Sequence, residues 1–331
     1  MIKTHQFGIG LLGDADISKI PQYAKMAEDM GYEVCWIAED YFCGGAFSIA
    51  SACSAATNKI NLGIGVINPY TRHPLLSAME SAALYEISNQ RVTIGLGSSN
   101  PVWIQQQMGI PYTRQLTSIF ETTKIMQEFY KGEKFNFSGE VFQVKNIVPR
   151  TPRCENLPIY LGVKSKKMLQ QAGAIADGVL LSVGTSVDYV SWVKKQLHTG
   201  AAKTGRSLEG FTIAAYLIFS INRDRELARS RVKNRLAYYL GLHGKHDIMK
   251  QAGVSDEHCD LFREGFLSGN PRSDLITEEL IDTFTISGEP DECKERFQKL
   301  VDAGVTQTVV YQIPEIPMEE NMAQVRDHIF A

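Results

Sequence analysis

Apolar positions along the chain follow two alternating rhythms. Short runs rich in Ile, Val and Leu give way to longer stretches in which apolar residues recur every three to four positions. The short runs read as buried strands and the periodic stretches as amphipathic helices. Strands are expected at 6–12, 34–38, 60–67, 92–97, 159–162, 179–183, 211–221 and 306–313. Helices are expected at 17–30, 46–56, 74–88, 116–130, 166–174, 187–199, 223–240, 290–303 and 318–330. In the first helix Ile20, Tyr23, Ala24, Ala27 and Met30 share a face, Pro21 falls near the first turn, and Gly31 supplies the stop. In the helix at 290–303, Cys293, Phe297, Leu300 and Val301 are set to point inward.

Strands that each lead into a helix predict a (β/α)8 TIM barrel, with 1–331 as one domain. A doubly wound parallel sheet is the alternative. Two insertions interrupt the rhythm. At 131–157, a Phe135-to-Phe142 excursion reads as a hairpin, and Pro149, Pro152 and Pro158 mark loop around it. At 241–286, short helices are expected, with a mobile loop near 265–272. In a barrel the working groups lie where strands end. Those ends carry Glu39-Asp40-Tyr41, Gly65-Val66-Ile67-Asn68, Gly97-Ser98-Ser99-Asn100, Gly162-Val163-Lys164-Ser165 and Gly184-Thr185-Ser186.

The third of these strands is unusual. Gly63 and Gly65 stand where a buried strand prefers side chains, which signals a bulge or a close backbone approach. Asn68-Pro69 ends the run, and His73-Pro74 opens the next helix. A ligand lying against bare backbone is one reading, and an ordinary strand end is the other. On the first reading, a bulky side chain at position 65 harms binding more than folding.

Composition narrows the classes. At 331 residues, with 44% hydrophobic and 21% charged, the chain has the make-up of a soluble globular protein. The net charge is −3 and the basic residues are scattered, which argues against a nucleic-acid partner. No apolar run approaches the ~18 residues of a membrane span, and the start does not read as a signal peptide. Six cysteines without a C-x-x-C pair suit a reducing, cytoplasmic setting. Gly8-Ile-Gly10-Leu-Leu-Gly13 matches the dinucleotide pattern, but Ile9, Leu11 and Leu12 make it the strand itself rather than the turn after one. His243, His246 and His258 lack a third ligand at metal-binding spacing and read as surface or loop residues. Neither G-x-S-x-G nor H-E-x-x-H occurs, and the sequon at Asn136 carries no meaning in the cytoplasm.

The stretch Leu62-Gly-Ile-Gly-Val-Ile-Asn-Pro-Tyr-Thr-Arg-His-Pro resembles the third-strand signature of the luciferase-like oxidoreductases. Within that superfamily it is most similar to the methylenetetrahydromethanopterin reductases, which use the deazaflavin coenzyme F420. Ala27-Glu-Asp-Met-Gly-Tyr, Glu86-Ile-Ser-Asn-Gln-Arg, Ile94-Gly-Leu-Gly, Pro158-Ile-Tyr-Leu-Gly, Ala176-Asp-Gly, Ser287-Gly-Glu-Pro-Asp-Glu and Ala303-Gly-Val-Thr-Gln add to the resemblance, which is weakest over 241–286.

The resemblance implies hydride transfer between F420 and a small conjugated substrate, a methylene-tetrahydropterin or another, in a homodimer. It implies a cis Gly65-Val66 peptide in a bulge behind the cofactor ring, Asn68 at the ring's polar edge, and Ile67, Gly97 and Ser98 as further cofactor-binding residues. It also implies phosphate-side loops at Gly162, Val163, Lys164 and Ser165 and at Gly184, Thr185 and Ser186, whose free N–H groups at helix starts suit an anion. Lys164, Lys166 and Lys167 read equally as a solvated helix face.

The chain departs from those reductases in two places. They carry a Glu where this chain has Gly10, and an acidic residue where it has Asn100. Asp40 is left as the candidate acid or base, with Tyr41 and Asn100 beside it, unless Asp40 only caps its loop. Glu39 is expected to point the other way. Two alternatives stay open: an FMN-dependent monooxygenase on the same fold, and a cofactor-binding protein of low turnover.

Overall fold

The computed structural model describes residues 5–11 and 16–330. The chain runs β1 (Gln6–Leu11), α1 (Ile20–Asp29), β2 (Val34–Ile37), α2 (Ala46–Ala56), β3 (Asn61–Ile67), α3 (Pro74–Ile87), β4 (Val92–Gly97) and α4 (Gln115–Tyr130). The hairpin β5 (Phe135–Ser138) and β6 (Gln143–Ile147) follows. Then come β7 (Ile159–Gly162), α5 (Lys166–Ile175), β8 (Gly178–Leu181), α6 (Val187–Thr204), β9 (Thr212–Ile221) and α7 (Arg225–His243). The last third holds α8 (Asp247–Gln251), α9 (Asp256–Leu267), α10 (Glu278–Phe284), β10 (Thr285–Gly288), α11 (Pro290–Ala303), β11 (Gln307–Tyr311) and α12 (Met318–Ile329).

Parallel pairing runs β11-β1-β2-β3-β4-β7-β8 and closes through β9, which bonds to β8 along Thr212–Ala215 and to β11 along Ala214–Ile218. Among the described residues this is a closed barrel of eight parallel strands, so the doubly wound alternative falls. A short further strand, β10, was not expected. It pairs with the far half of β9, and its four residues, Thr-Ile-Ser-Gly, are too few and too polar to show a period.

The barrel has two cores. Outside it, strand and helix faces share one large apolar layer, to which Ile20, Ala24 and Ala27 of α1 and Cys293, Phe297 and Leu300 of α11 belong. Inside it, Val34, Trp36, Tyr160, Leu180, Ala214 and Val309 pack together, with Val66 and Tyr216 against them. The Trp36 indole is fully buried and donates to Gln307 Oε1 at 2.9 Å. A Cβ at Gly63 would lie 2.4 Å from that indole, and one at Gly65 would lie 2.8 Å from it. These two glycines are therefore bare because the barrel is filled by tryptophan, not only because a ligand needs backbone.

Other expectations shift slightly. Gly265 to Leu267 belong to helix α9 rather than to a loop, and Gly265 is bare because a Cβ would meet the 270–272 backbone at about 3 Å. A π-helical turn at Val102–Gln107 was not foreseen. Gly8 and Gly10 sit inside β1, while Leu12 and Gly13 of the dinucleotide pattern lie outside the described residues.

Candidate active site

A cavity of about 1100 Å³ opens where the barrel strands end. Asp40, Tyr41, Gly65, Val66, Gly97, Ser98, Asn100, Gly162, Val163, Lys164 and Ser165 all line it. The structure thus brings together most of the residues singled out in the sequence, from four different strand ends.

One wall is backbone. Strand β3 bulges between Ile64 and Ile67, and the Gly65-Val66 peptide is cis, as the resemblance implied. The Val66 side chain lies in a cradle of glycines: Cβ atoms at Gly95, Gly97 and Gly162 would stand 3.1, 2.6 and 2.6 Å from its methyl carbons. Gly97 and Gly162 are thus needed to seat Val66, and they leave a flat, side-chain-free surface beside it.

Beyond β2 the chain turns sharply. Tyr41-Phe42 is a second cis peptide, and Tyr41 is held by the Asn68 amide and by Thr71 Oγ1 at 3.2 Å. The Asn68 carbonyl oxygen in turn accepts from the N–H groups of Tyr70 at 2.9 Å and Thr71 at 3.1 Å. Asn68 and Ile67 are buried and do not line the cavity. Asn68 acts on the site through Tyr41, a correction to its expected place at a ring edge. Glu39 does point away, accepting from the Ala46 N–H and from Arg72, both at 2.9 Å. Asn100 accepts from the Trp103 N–H at 3.1 Å and so starts the π-helical turn, whose Trp103 ring meets Tyr41 edge-on at 5.7 Å.

The opposite pole is basic. Lys164 is half-buried before the first turn of α5, and burial, then the charge of Arg263, lowers its pKa to about 8. Lys166 and Lys167, on the helix proper, are exposed, so the solvated-face reading holds for them and not for Lys164. Gly184, Thr185 and Ser186 are buried and do not line the cavity. The Thr185 hydroxyl donates back to the Ser182 carbonyl at 2.8 Å, and Ser186 accepts from the Tyr189 N–H to cap α6. Ser182 and Val183 reach the cavity in their place.

His243 corrects the sequence reading. It ends α7, is buried, lines the cavity, and its Nε2 meets the Val183 carbonyl at 2.6 Å. Burial first, then Lys164, holds its pKa down at about 3, so it is neutral. Its spacing from Leu236 and Leu240 on the inward face of α7 was the signal available in the sequence. His246 and His258 are exposed, and no group of three metal-ligating side chains is gathered among the described residues. Arg235, Tyr239, Arg263, Tyr216 and Tyr311 also line the cavity and escaped the sequence reading, since single Arg and Tyr positions carry no pattern.

A cavity of this size, lined by the glycine wall around Val66 and by Lys164 and Arg263, suits a flat ring system carrying an anionic tail.

Residues 1–307 match the luciferase-like monooxygenase family. The 5,10-methylenetetrahydromethanopterin reductase of Archaeoglobus fulgidus is 31% identical over 310 residues, covering 92% of each chain. That of Methanolobus tindarius is 33% identical over 307 residues, 92% of this chain and 93% of its own. The coenzyme F420-dependent tetrahydromethanopterin reductase structure from Methanopyrus kandleri superposes with a TM-score of 0.89 at 29% identity over 98% of both chains.

Proposed function

The chain belongs to the luciferase-like monooxygenase family, and from that premise we propose that it is a coenzyme F420-dependent oxidoreductase acting on a small conjugated substrate of the methylene-tetrahydropterin type. The observation that carries the reading is the junction of a glycine wall around Val66 with the basic Lys164 pole, in a chain over 30% identical to reductases of that kind. When bound, a reduced deazaflavin supplies the hydride. The protein's part is placement. Gly65, Val66, Gly97 and Gly162 back the ring system. Lys164 and Arg263 hold the anionic tail, helped by the N–H groups that open α5. Tyr41, locked by Asn68, and Trp103 form the aromatic side against which a conjugated substrate stacks. Asp40 is the carboxylate nearest this work.

The FMN-dependent alternative rests on weaker ground. The FMN-binding 3,6-diketocamphane monooxygenase of Pseudomonas putida is 15% identical, a likeness of fold alone. We place the protein in a reducing cytoplasm because Cys35, Cys53, Cys154, Cys259 and Cys293 are free thiols held in buried positions. A homodimer is supported by the exposed apolar side chains Leu76, Met79 and Ile87 on α3.

The test is titration of the purified protein with F420 and with FMN, followed by turnover of methylenetetrahydromethanopterin. Tight F420 binding with turnover is expected. Binding of FMN in preference to F420 overturns the cofactor assignment, and F420 binding without turnover on any conjugated electrophile leaves the low-turnover reading.

A further inference from the structure

Among the described residues, β1 offers no side chain to the cavity. A Cβ at Gly10 would meet the Tyr216 ring at 2.7 Å, so the place where a side chain from β1 would stand is filled by a phenol from β9. Around Tyr216 gather Asp40 from beyond β2, Tyr311 from β11, and Tyr239 and Arg235 from α7, all lining the same cavity. The Tyr239 hydroxyl donates to the Tyr311 hydroxyl at 2.9 Å, and the two rings meet edge-on at 5.2 Å. The Tyr216 and Tyr311 rings also meet edge-on, at 6.3 Å. The Arg235 guanidinium lies 5.8 Å from the centres of the Tyr238 and Tyr311 rings. Four elements thus bring a hydrogen-bonded phenol pair, Tyr239–Tyr311, together with a third phenol, a cation and a carboxylate in one cavity.

We propose that Tyr311 hands the proton to the substrate, and that Tyr239 positions Tyr311 and refills it, so that a phenol pair does here what a carboxylate at position 10 would otherwise do. The proposal rests on the function proposed above. Because Tyr239 donates to Tyr311, the Tyr311 hydrogen is directed away from Tyr239. Burial keeps the Tyr216 and Tyr239 phenols well above the ordinary tyrosine range, with Asp40 pushing both further up and Arg235 pulling Tyr239 back. These two phenols are protonated at neutral pH, as members of a proton-donating chain must be. Arg235, over the Tyr311 ring, supplies a nearby positive charge that favours negative charge building on that phenol as the proton leaves.

For a methylene carbon bridging two nitrogens, the step balances as follows. The Tyr311 O–H bond breaks and its electron pair stays on oxygen. An N–H bond forms with the lone pair of one bridging nitrogen. The bond from that nitrogen to the methylene carbon then opens, its pair returning to the nitrogen, and leaves a carbon–nitrogen cation ready to accept hydride. The hydride is that of the reduced deazaflavin, as proposed above. Tyr311 takes back a proton from Tyr239, and Tyr239 is resupplied from solvent that enters the cavity.

The experiment uses the full chain, F420 and methylenetetrahydromethanopterin. Tyr311→Phe is expected to slow single-turnover reduction by ~10²–10⁴-fold, with the dissociation constant for oxidised F420 changed by less than about threefold. Tyr239→Phe is expected to lower kcat by about tenfold with KM held, because it removes positioning rather than contact. A second readout needs no turnover: 3-fluorotyrosine placed at position 311 is expected to shift its ¹⁹F resonance when the methylene pterin is added to the complex with oxidised F420. Turnover within about threefold of wild type in Tyr311→Phe, or an unmoved resonance, overturns the proposal. Loss of turnover in Asp40→Asn alone, with Tyr311→Phe silent, overturns it in favour of Asp40. If the wild-type chain fails to bind F420, the proposed function has failed, and the ¹⁹F response to the pterin alone still decides whether Tyr311 touches substrate.

Discussion

At Gly65 an added Cβ would lie 2.7 Å from Leu180 and 2.8 Å from Trp36, inside the barrel rather than in the cavity. Gly65→Leu is therefore expected to cost ~1–3 kcal/mol by overpacking, alongside any loss of cofactor affinity. This revises the expectation that binding would suffer more than folding. Urea unfolding checks it, and an unchanged midpoint would return the glycine to a purely ligand-related role. Lys164 carries a second prediction. Burial and Arg263 lower its pKa to about 8. Its charge is therefore complete below that pH and lost as pH rises through it, whereas an ordinary lysine keeps its charge to about 10.4. Affinity for an anionic cofactor is expected to fall as pH rises above 8, and Lys164→Met to weaken binding at pH 7 and flatten the profile. The sign for stability is opposite. Between the folded and unfolded pKa values the unfolded chain holds more protons, so this lysine makes the fold more stable as pH rises through that window. A binding profile equally steep in Lys164→Met would assign the pH dependence elsewhere.

Among the elements, the hairpin β5–β6 shows what periodicity cannot supply. Its residues read as an excursion, but nothing in the sequence tied it down. The tie is Glu121, a buried carboxylate on α4 that accepts from the N–H groups of Glu140 at 2.6 Å, Val141 at 3.0 Å and Phe142 at 2.8 Å. Gly139 is bare because a Cβ there would lie 2.3 Å from the same carboxylate. Glu121→Ala orphans three donors and is expected to cost about 3 kcal/mol, with faster amide exchange confined to 139–142. Exchange unchanged at those amides would show that water replaces the carboxylate at no cost. The elements that could be read from the sequence were those whose burial repeats: the eight barrel strands and the helices between them. What could not be read was the single polar contact that holds the hairpin, the Glu121 latch, and β10, which is too short to show a period. The site divides the same way. Its glycines and strand ends announce themselves by composition, while Tyr239, Tyr311 and Arg235 become neighbours only when α7 and β11 meet over the barrel.

For the whole molecule, barrel closure buries most of each barrel strand and leaves the helices to meet solvent or another chain. Helix α3 stands out. Its inward face is fully occupied by Pro74, Ser77, Ala78, Ser81, Ala82, Leu84 and Tyr85. Its outer face still carries Leu76, Met79 and Ile87 at 51, 50 and 61% exposure, with exposed Ala83 between them. Positions 76, 79, 83 and 87 fall on one side of a helix, so these residues form a continuous apolar stripe rather than scattered surface hydrophobics. A second copy of α3 would cover that stripe through a two-fold axis, giving each chain the same contact and leaving no open end. The paired change Leu76→Glu with Ile87→Glu is expected to convert a dimer into a monomer in sedimentation at micromolar concentration. In the monomer both side chains already face water, so the isolated fold loses little. Any drop in melting temperature should therefore depend on protein concentration in the wild type and vanish in the variant. A wild-type chain that sediments as a monomer at high concentration, or a charged variant that still dimerises, would remove α3 as the interface.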